Sequence, residues 1–261
     1  MDLSLQHKTA LICGSTRGIG LAIAVELASL GANCILLARD EQTLQQVIKE
    51  LDTRQAQQHH YFVADFSDTN AVRKTIAAIA RLHTIHILIN NTGGPKPGAI
   101  IAADPSAFET AFQQHVINNQ VLTQALVPGM KQSGYGRIIN IISTSVRIPI
   151  DNLGVSNTIR AAVAAWAKTM SNELGQFNIT VNNILPGYTE TGRLKSLIAT
   201  NALNRKISEK ELAREMEDSI PMKRFGQVAE IASVAAFLAS PAASYVNGVS
   251  IPVDGGKTGT L

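Results

Sequence analysis

Ser143, Ser156 and Arg160 supply two hydroxyls and a guanidinium, side chains that together could bind an anion. Ser156 and Arg160 stand four residues apart in NLGVSNTIRAAVAAW, an alanine-rich run over 152–166, so a helix there places both on one face. Neither side chain titrates near neutral pH, because an aliphatic alcohol is far less acidic than a phenol and arginine keeps its proton. Two hydroxyls beside a guanidinium suit an anion such as a carboxylate or phosphate. They also suit a carbonyl oxygen whose proton arrives by another route.

The elements that must hold these groups show in the hydropathy pattern. Short apolar runs at 9–13, 33–38, 60–65, 86–90, 136–142, 179–185 and 249–253 read as strands. Helix-like stretches lie between them near 18–30, 41–52, 68–82, 106–132, 156–175 and 228–239. This alternation predicts βαβ units, hence a doubly wound α/β fold with about seven parallel strands and helices on both faces. No composition break divides residues 1–261, so one domain is expected. Charge gathers only in 192–220, read as one or two helices forming a flap that is either a substrate lid or a solvated insertion.

Between the first strand and first helix lies Cys13-Gly-Ser-Thr-Arg-Gly-Ile-Gly20, with Gly14, Gly18 and Gly20 spaced GxxxGxG. Glycine permits a sharp turn and close backbone approach to a pyrophosphate, whose charge a helix N-terminus favours. The second strand ends in Ala38-Arg39, where NAD-binding chains of this type carry an acid for the ribose 2′-hydroxyl. Arg39, with Arg17 from the glycine turn, suits a 2′-phosphate instead. NADP(H) is therefore preferred over NAD(H), although Asp40 follows directly and Arg39 also reads as a solvated loop arginine.

With these residues in view, the chain resembles the short-chain dehydrogenase/reductase family nearly end to end, nearest its β-ketoacyl-carrier-protein reductase branch. It is similar to that family's TGxxxGxG at 13–20, with Cys13 for Thr, and to its acidic pair at Asp65-Phe66. Asn90-Asn-Thr-Gly93 resembles NNAG, Gly136–Ser143 the strand ending in the active-site serine, Pro186-Gly-Tyr-Thr-Glu-Thr191 the PGxxxT segment, and Val253–Gly256 the usual ending. The resemblance implies a Rossmann-type domain and a coenzyme contacted by Gly14, Ser15, Arg17, Gly18, Ile19, Gly20, Arg39, Asp65, Phe66, Asn91, Gly93, Arg160, Pro186, Gly187, Thr189 and Thr191. It also implies a tyrosine and a lysine where Ser156 and Arg160 stand, and an asparagine where His115 stands. Only Ser143 is retained of the four expected catalytic residues. Losing a positioned general acid costs roughly 10²–10⁴ in rate. The expected function is carbonyl reduction or alcohol oxidation by an atypical proton path. The alternative is a catalytically impaired dinucleotide-binding member with a regulatory or structural role. His115, whose imidazole ordinarily titrates in the physiological range, either relays a proton through water or fills its helix. Tyr188 either donates from the opposite side or packs against the coenzyme.

Composition narrows the partners. The net charge of +3 is spread without a run of basic residues, which argues against nucleic acid. No stretch reaches the roughly 18 apolar residues of a membrane span, and the opening residues lack a signal region, so a cytoplasmic protein is expected. Cys13 and Cys34 read as small buried hydrophobes, and His59, His60, His83 and His86 have no partners at metal-ligand spacing. The expected partner is a small carbonyl, alcohol or acidic ligand. Long apolar faces at 106–132 and 156–175 suggest a homodimer or homotetramer, as the resemblance also implies.

Overall fold

A computed structural model describes residues 1–259. Seven parallel strands form one sheet in the order β3-β2-β1-β4-β5-β6-β7. They are β1 (Thr9–Cys13), β2 (Asn33–Ala38), β3 (His60–Val63), β4 (Ile87–Asn90), β5 (Gly136–Ile141), β6 (Ile179–Pro186) and β7 (Ser250–Val253). The helices are α1 (Gly18–Ser29), α2 (Glu41–Glu50), α3 (Thr69–Leu82), α4 (Pro105–Phe112), α5 (Asn118–Ser133), α6 (Gly154–Leu174), α7 (Gly192–Arg205), α8 (Glu209–Asp218) and α9 (Val228–Ala239).

Strand alternation sorts side chains to two faces. Ala10 and Ile12 of β1 join Ile23 and Leu27 of α1 and Ile231 and Leu238 of α9 in one core. Leu11 and Cys13 point the other way, toward Ile76 of α3, Leu122 and Met130 of α5, and Ala167 of α6. Cys13 and Cys34 are free and buried, and burial raises both thiol pKa values, so neither is a nucleophile at neutral pH. The expected flap at 192–220 is the α7–α8 hairpin, with a small core of its own around Leu194, Ile198, Leu212 and Phe225.

The single helix expected over 106–132 is broken. Asp104 caps α4 through Ser106 N, and the chain then widens into a π-helical turn, Gln113–Ile117, before continuing as α5. A wide turn shifts the 3.6-residue stripe, and this one brings His115 inside at 2% exposure. Much of the apolar surface expected for assembly is covered within the chain: Ala111, Leu122, Leu126 and Ala167 are buried, while Phe112, Ala161 and Ala165 face outward.

The sheet also carries a polar row. Asn90, Asn140, Asn183 and Ser250 lie in register across β4 to β7. Asn90 Nδ2 donates to Asn140 Oδ1 at 2.9 Å, Asn140 Nδ2 to Asn183 Oδ1 at 2.9 Å, and Asn183 Nδ2 to Ser250 Oγ at 3.0 Å. All three asparagines are buried, so each amide depends on its neighbour for the partner that water would otherwise supply. Replacing Asn140 with leucine strips a partner from both Asn90 and Asn183. At roughly 1–3 kcal/mol per orphaned group, Asn140→Leu is expected to lower unfolding free energy by about 2–5 kcal/mol. Urea denaturation measures it, and a loss below about 0.5 kcal/mol, the level of an ordinary surface substitution, would show the row to be incidental.

Candidate active site

The sheet order reverses between β1 and β4, and a crevice opens there beyond the strand ends. Gly14 and Gly18 have φ of +60° and +59°, which favours glycine. A Cβ on Gly14 would lie 2.5 Å from Asn91 O, and one on Gly20 would strike Gly14 O. Asn91 Nδ2 closes the turn by donating to Cys13 O and Gly14 O, both at 3.2 Å.

At this turn α1 begins without a side-chain cap and without an acid in its first turn, whereas α2, α3 and α4 each begin on a capping aspartate. Its first N–H groups are thus left for an outside acceptor. Ser15, fully buried, has a hydroxyl without a partner among the described residues. Bare N–H groups, an orphaned hydroxyl and turns that no Cβ can enter together fit the diphosphate of a dinucleotide.

The adenine end is equally open to reading. Arg39 is solvent-exposed and pairs only loosely with Asp65, at 3.8 Å. Asp40 accepts from Thr43 N at 3.0 Å and Thr43 Oγ1 at 2.6 Å as the cap of α2. Its carboxylate is therefore engaged by the helix, leaving Arg39 as the free charge at this end. Arg17 is exposed in the glycine turn, Ile19 packs on the core, and Asp65 accepts from Ser67 N. Phe66 O accepts from Asn118 Nδ2 at 2.7 Å, which fixes that loop to the first turn of α5.

The segment after β6 is pinned on both sides. Gly187 N donates to Val253 O at 3.0 Å, and a Cβ on Gly187 would meet Asp254 at 2.6 Å. Thr189 Oγ1 donates to Gly187 O, and Thr191 Oγ1 donates to Thr189 O while accepting from Leu194 N as the cap of α7. Thr191 Cγ2 lies 3.6 Å from where a Gly18 Cβ would be, so this segment meets the glycine turn across the crevice. Pro186 ends β6, and Gly93 is exposed at the rim. The ring of Tyr188 lies edge-on to that of Phe225, centroids 6.4 Å apart, against the flap core.

Ser143, Ser156, Arg160 and His115 gather around the end of β5. Ser143 accepts from Ser145 N at 3.1 Å, which leaves its own O–H proton to donate outward. Arg160 is 8% exposed, and its Nη1 donates to Ile141 O at 2.9 Å, tying the guanidinium two residues from Ser143. Ser156 is buried one turn before Arg160, and its hydroxyl bonds to no described residue. The rim loop is laced to the start of α6, with Gly98 N donating to Asn152 O at 2.7 Å and Gly154 N to Gly98 O at 3.3 Å. Gly154 is required there, because a Cβ would strike Ile100.

His115 Nδ1 lies 2.7 Å from Thr92 Oγ1, and its Nε2 has no partner among the described residues. Burial first, then the charges of Arg160 and Arg193, push its pKa down to about 3, against a small opposing pull from a backbone hydrogen bond at Gly93. The imidazole is neutral at physiological pH. Burial and then Arg193 lower the pKa of Arg160 to about 10, so it stays charged.

Arg193 itself escaped sequence reading. Its Nη1 donates to Gly94 O at 2.9 Å and its Nη2 to Pro95 O at 3.1 Å, clasping the flap to the rim loop. Its place two residues after Thr191, at the mouth of the flap, was the available signal. Four of the other five histidines have packing or hydrogen-bond partners: His86 and His59 accept from Thr9 N and Cys34 N near the strand starts, and the rings of His60 and His83 lie tilted at 4.8 Å.

Comparison with known proteins agrees with this geometry. Residues 14–258 match the family model described as enoyl-(acyl carrier protein) reductase. The chain is 32% identical over 257 residues to the 7alpha-hydroxysteroid dehydrogenase of Escherichia coli (strain K12), with 98% of this chain and 96% of that one covered. It is 31% identical to the 3-oxoacyl-acyl-carrier-protein reductase FabG of Aquifex aeolicus (strain VF5), covering 98% and 99%. Among solved structures, L-sorbose reductase from Gluconobacter frateurii, complexed with NADPH and L-sorbose, is similar over 100% of both chains with a TM-score of 0.93 and 30% identity. The chain belongs to the short-chain dehydrogenase/reductase family of oxidoreductases. Among the described residues no helix is long and apolar enough to cross a membrane.

The neutral state of His115 has a measurable cost. Its folded pKa lies below the ordinary value of 6.5, so between about 6.5 and about 3 the unfolded chain binds a proton that the folded chain refuses. Stability from this source is present above that window and falls as pH drops through it. His115→Gln is therefore expected to flatten the decline in urea midpoint between pH about 7 and about 4.5. An identical decline in the variant would show that the imidazole already carries its proton in the folded state.

Proposed function

We propose that the protein is an NADP(H)-dependent oxidoreductase that reduces a carbonyl, or oxidises the corresponding alcohol, without a tyrosine proton donor. The observation that carries this reading is the pairing of an intact dinucleotide crevice with Ser143 and a fixed guanidinium at its inner end. The glycine turn, the N-terminus of α1 and Ser15 are assigned to the diphosphate, Arg39 and Arg17 to the 2′-phosphate, and Thr191 to the nicotinamide amide. When bound, the coenzyme supplies or accepts the hydride.

In this reading Ser143 donates its hydroxyl proton in a hydrogen bond to the substrate oxygen and fixes its place. Arg160, held on Ile141 O, lies beside the nicotinamide ribose and stabilises negative charge growing on that oxygen. Arg160 remains protonated and His115 remains neutral, so neither stores an acid for pH 7. The proton is assigned to water admitted above the short side chain of Ser156. Localisation in the cytoplasm and preference for NADP(H) over NAD(H) belong to the same proposal.

A second reading, a dinucleotide-binding member without turnover, is favoured by one observation: His115 and Arg160 both titrate well outside the physiological range. Kinetics separate the two. With NADPH and a panel of ketones and aldehydes, the native chain is expected to turn over slowly. The double variant Ser156→Tyr/Arg160→Lys, which supplies the phenol and ammonium of a conventional proton relay, is expected to be faster by about 10²-fold or more. NADPH consumption by neither chain, with both folded and both binding coenzyme, would favour the second reading.

A further inference from the structure

Resting on the reading of this crevice as an oxidoreductase site, we propose that its substrate is an anion, an oxo acid or hydroxy acid, whose carboxylate is held by Arg193 beside Arg160. Three elements bring the recognising groups together. Arg160 comes from α6, Arg193 from the first turn of α7, and His115 from the π-helical turn before α5. Arg160 spends one donor on Ile141 O, and Arg193 spends two on Gly94 O and Pro95 O. A guanidinium carries five N–H donors, so both retain capacity for a carboxylate.

No acidic side chain among the described residues forms an ion pair with either arginine. Arg160 is 8% exposed, so its charge is buried without a carboxylate to balance it. His115 Nε2, in a residue 2% exposed, also lacks a partner. After burial, the largest cause, each arginine depresses the proton affinity of His115 and Arg193 that of Arg160, as expected for a buried charge with a second, exposed one at the mouth of the crevice. An arriving carboxylate relieves this repulsion and fills the open donors at once.

The coenzyme does not account for Arg193, and in the reading above it meets Arg160 only through the uncharged nicotinamide ribose. Its phosphates have the glycine turn, the N-terminus of α1, Arg17 and Arg39. Arg39 directly follows β2, whereas Arg160 is tied to β5, three strands away in the sheet order and roughly 14 Å at the usual strand spacing. Ser143 lies two residues beyond that tie, so a carbonyl oxygen on Ser143 places the remainder of a short oxo acid among these charges.

The test is calorimetric binding of pyruvate and levulinate, each against its neutral methyl ester, to the chain alone and to the chain saturated with NADP+. The acids are expected to bind about tenfold or more tightly than their esters. Arg193→Gln, which also unclasps the flap and so lowers the melting temperature slightly, is expected to abolish that preference while leaving NADP+ affinity unchanged, and Arg193→Lys to restore part of it. Equal binding of acid and ester would overturn the proposal. So would an Arg193→Gln variant that loses NADP+ affinity instead, because the charge would then serve the coenzyme. An acid preference lost in Arg193→Gln in a chain that binds no NADP+ would uphold the anion site while removing the oxidoreductase reading beneath it.

Discussion

The arrangement depends on one close approach of backbone to backbone. Where β1 gives way to α1, Gly14 and Gly20 pack against each other and against Asn91 so tightly that a single added carbon on either would collide with main chain. That contact sits where the sheet order reverses, so it joins the two halves of the fold and shapes the floor of the crevice. The absent cap on α1 and the unpartnered hydroxyl of Ser15 have meaning only because this turn holds them at the crevice. The segment 186–191 closes against the same turn from the far side, and it is itself held by β7.

At the inner end of the crevice the chemistry has been changed while the scaffold has been kept. A tyrosine and lysine would form a pair that passes protons. Ser156 and Arg160 keep the hydrogen-bonding and the positive charge but give up the exchange of protons at neutral pH. His115 compounds the change: buried among positive charges, its imidazole is held neutral and acts as a polar wall rather than an acid. The result is a site built from fixed charge. Such a site suits negative oxygen, and in the proposed function it takes its proton from water.

The fold was almost entirely legible in the sequence, because the strands are buried on both faces and show as unbroken apolar runs such as TALIC and NCILLA, whose bounds match the structure. The helices were placed only approximately, as the stretches between those strands. The π-helical turn at Gln113–Ile117 did not show, since a one-residue widening leaves the residue types unchanged and alters only which of them face inward. The tight turn at Gly14–Gly20 was legible because glycine spacing and chain position constrain it. Arg193 was not, because its role depends on the rim loop at Gly94 and Pro95 arriving from the other side of the site, a tertiary fact without a local pattern. The neutrality of His115 was hidden for a similar reason: it follows first from burial at the π-helical turn and then from two arginines far away in sequence.

The central claim is that the crevice accepts a dinucleotide whose phosphorylated ribose meets Arg39. Calorimetric titration of the unaltered chain with NADPH and with NADH tests it most directly. The account predicts one NADPH bound per chain, about tenfold or more tightly than NADH. Absence of binding by both coenzymes, or a clear preference for NADH, would contradict it.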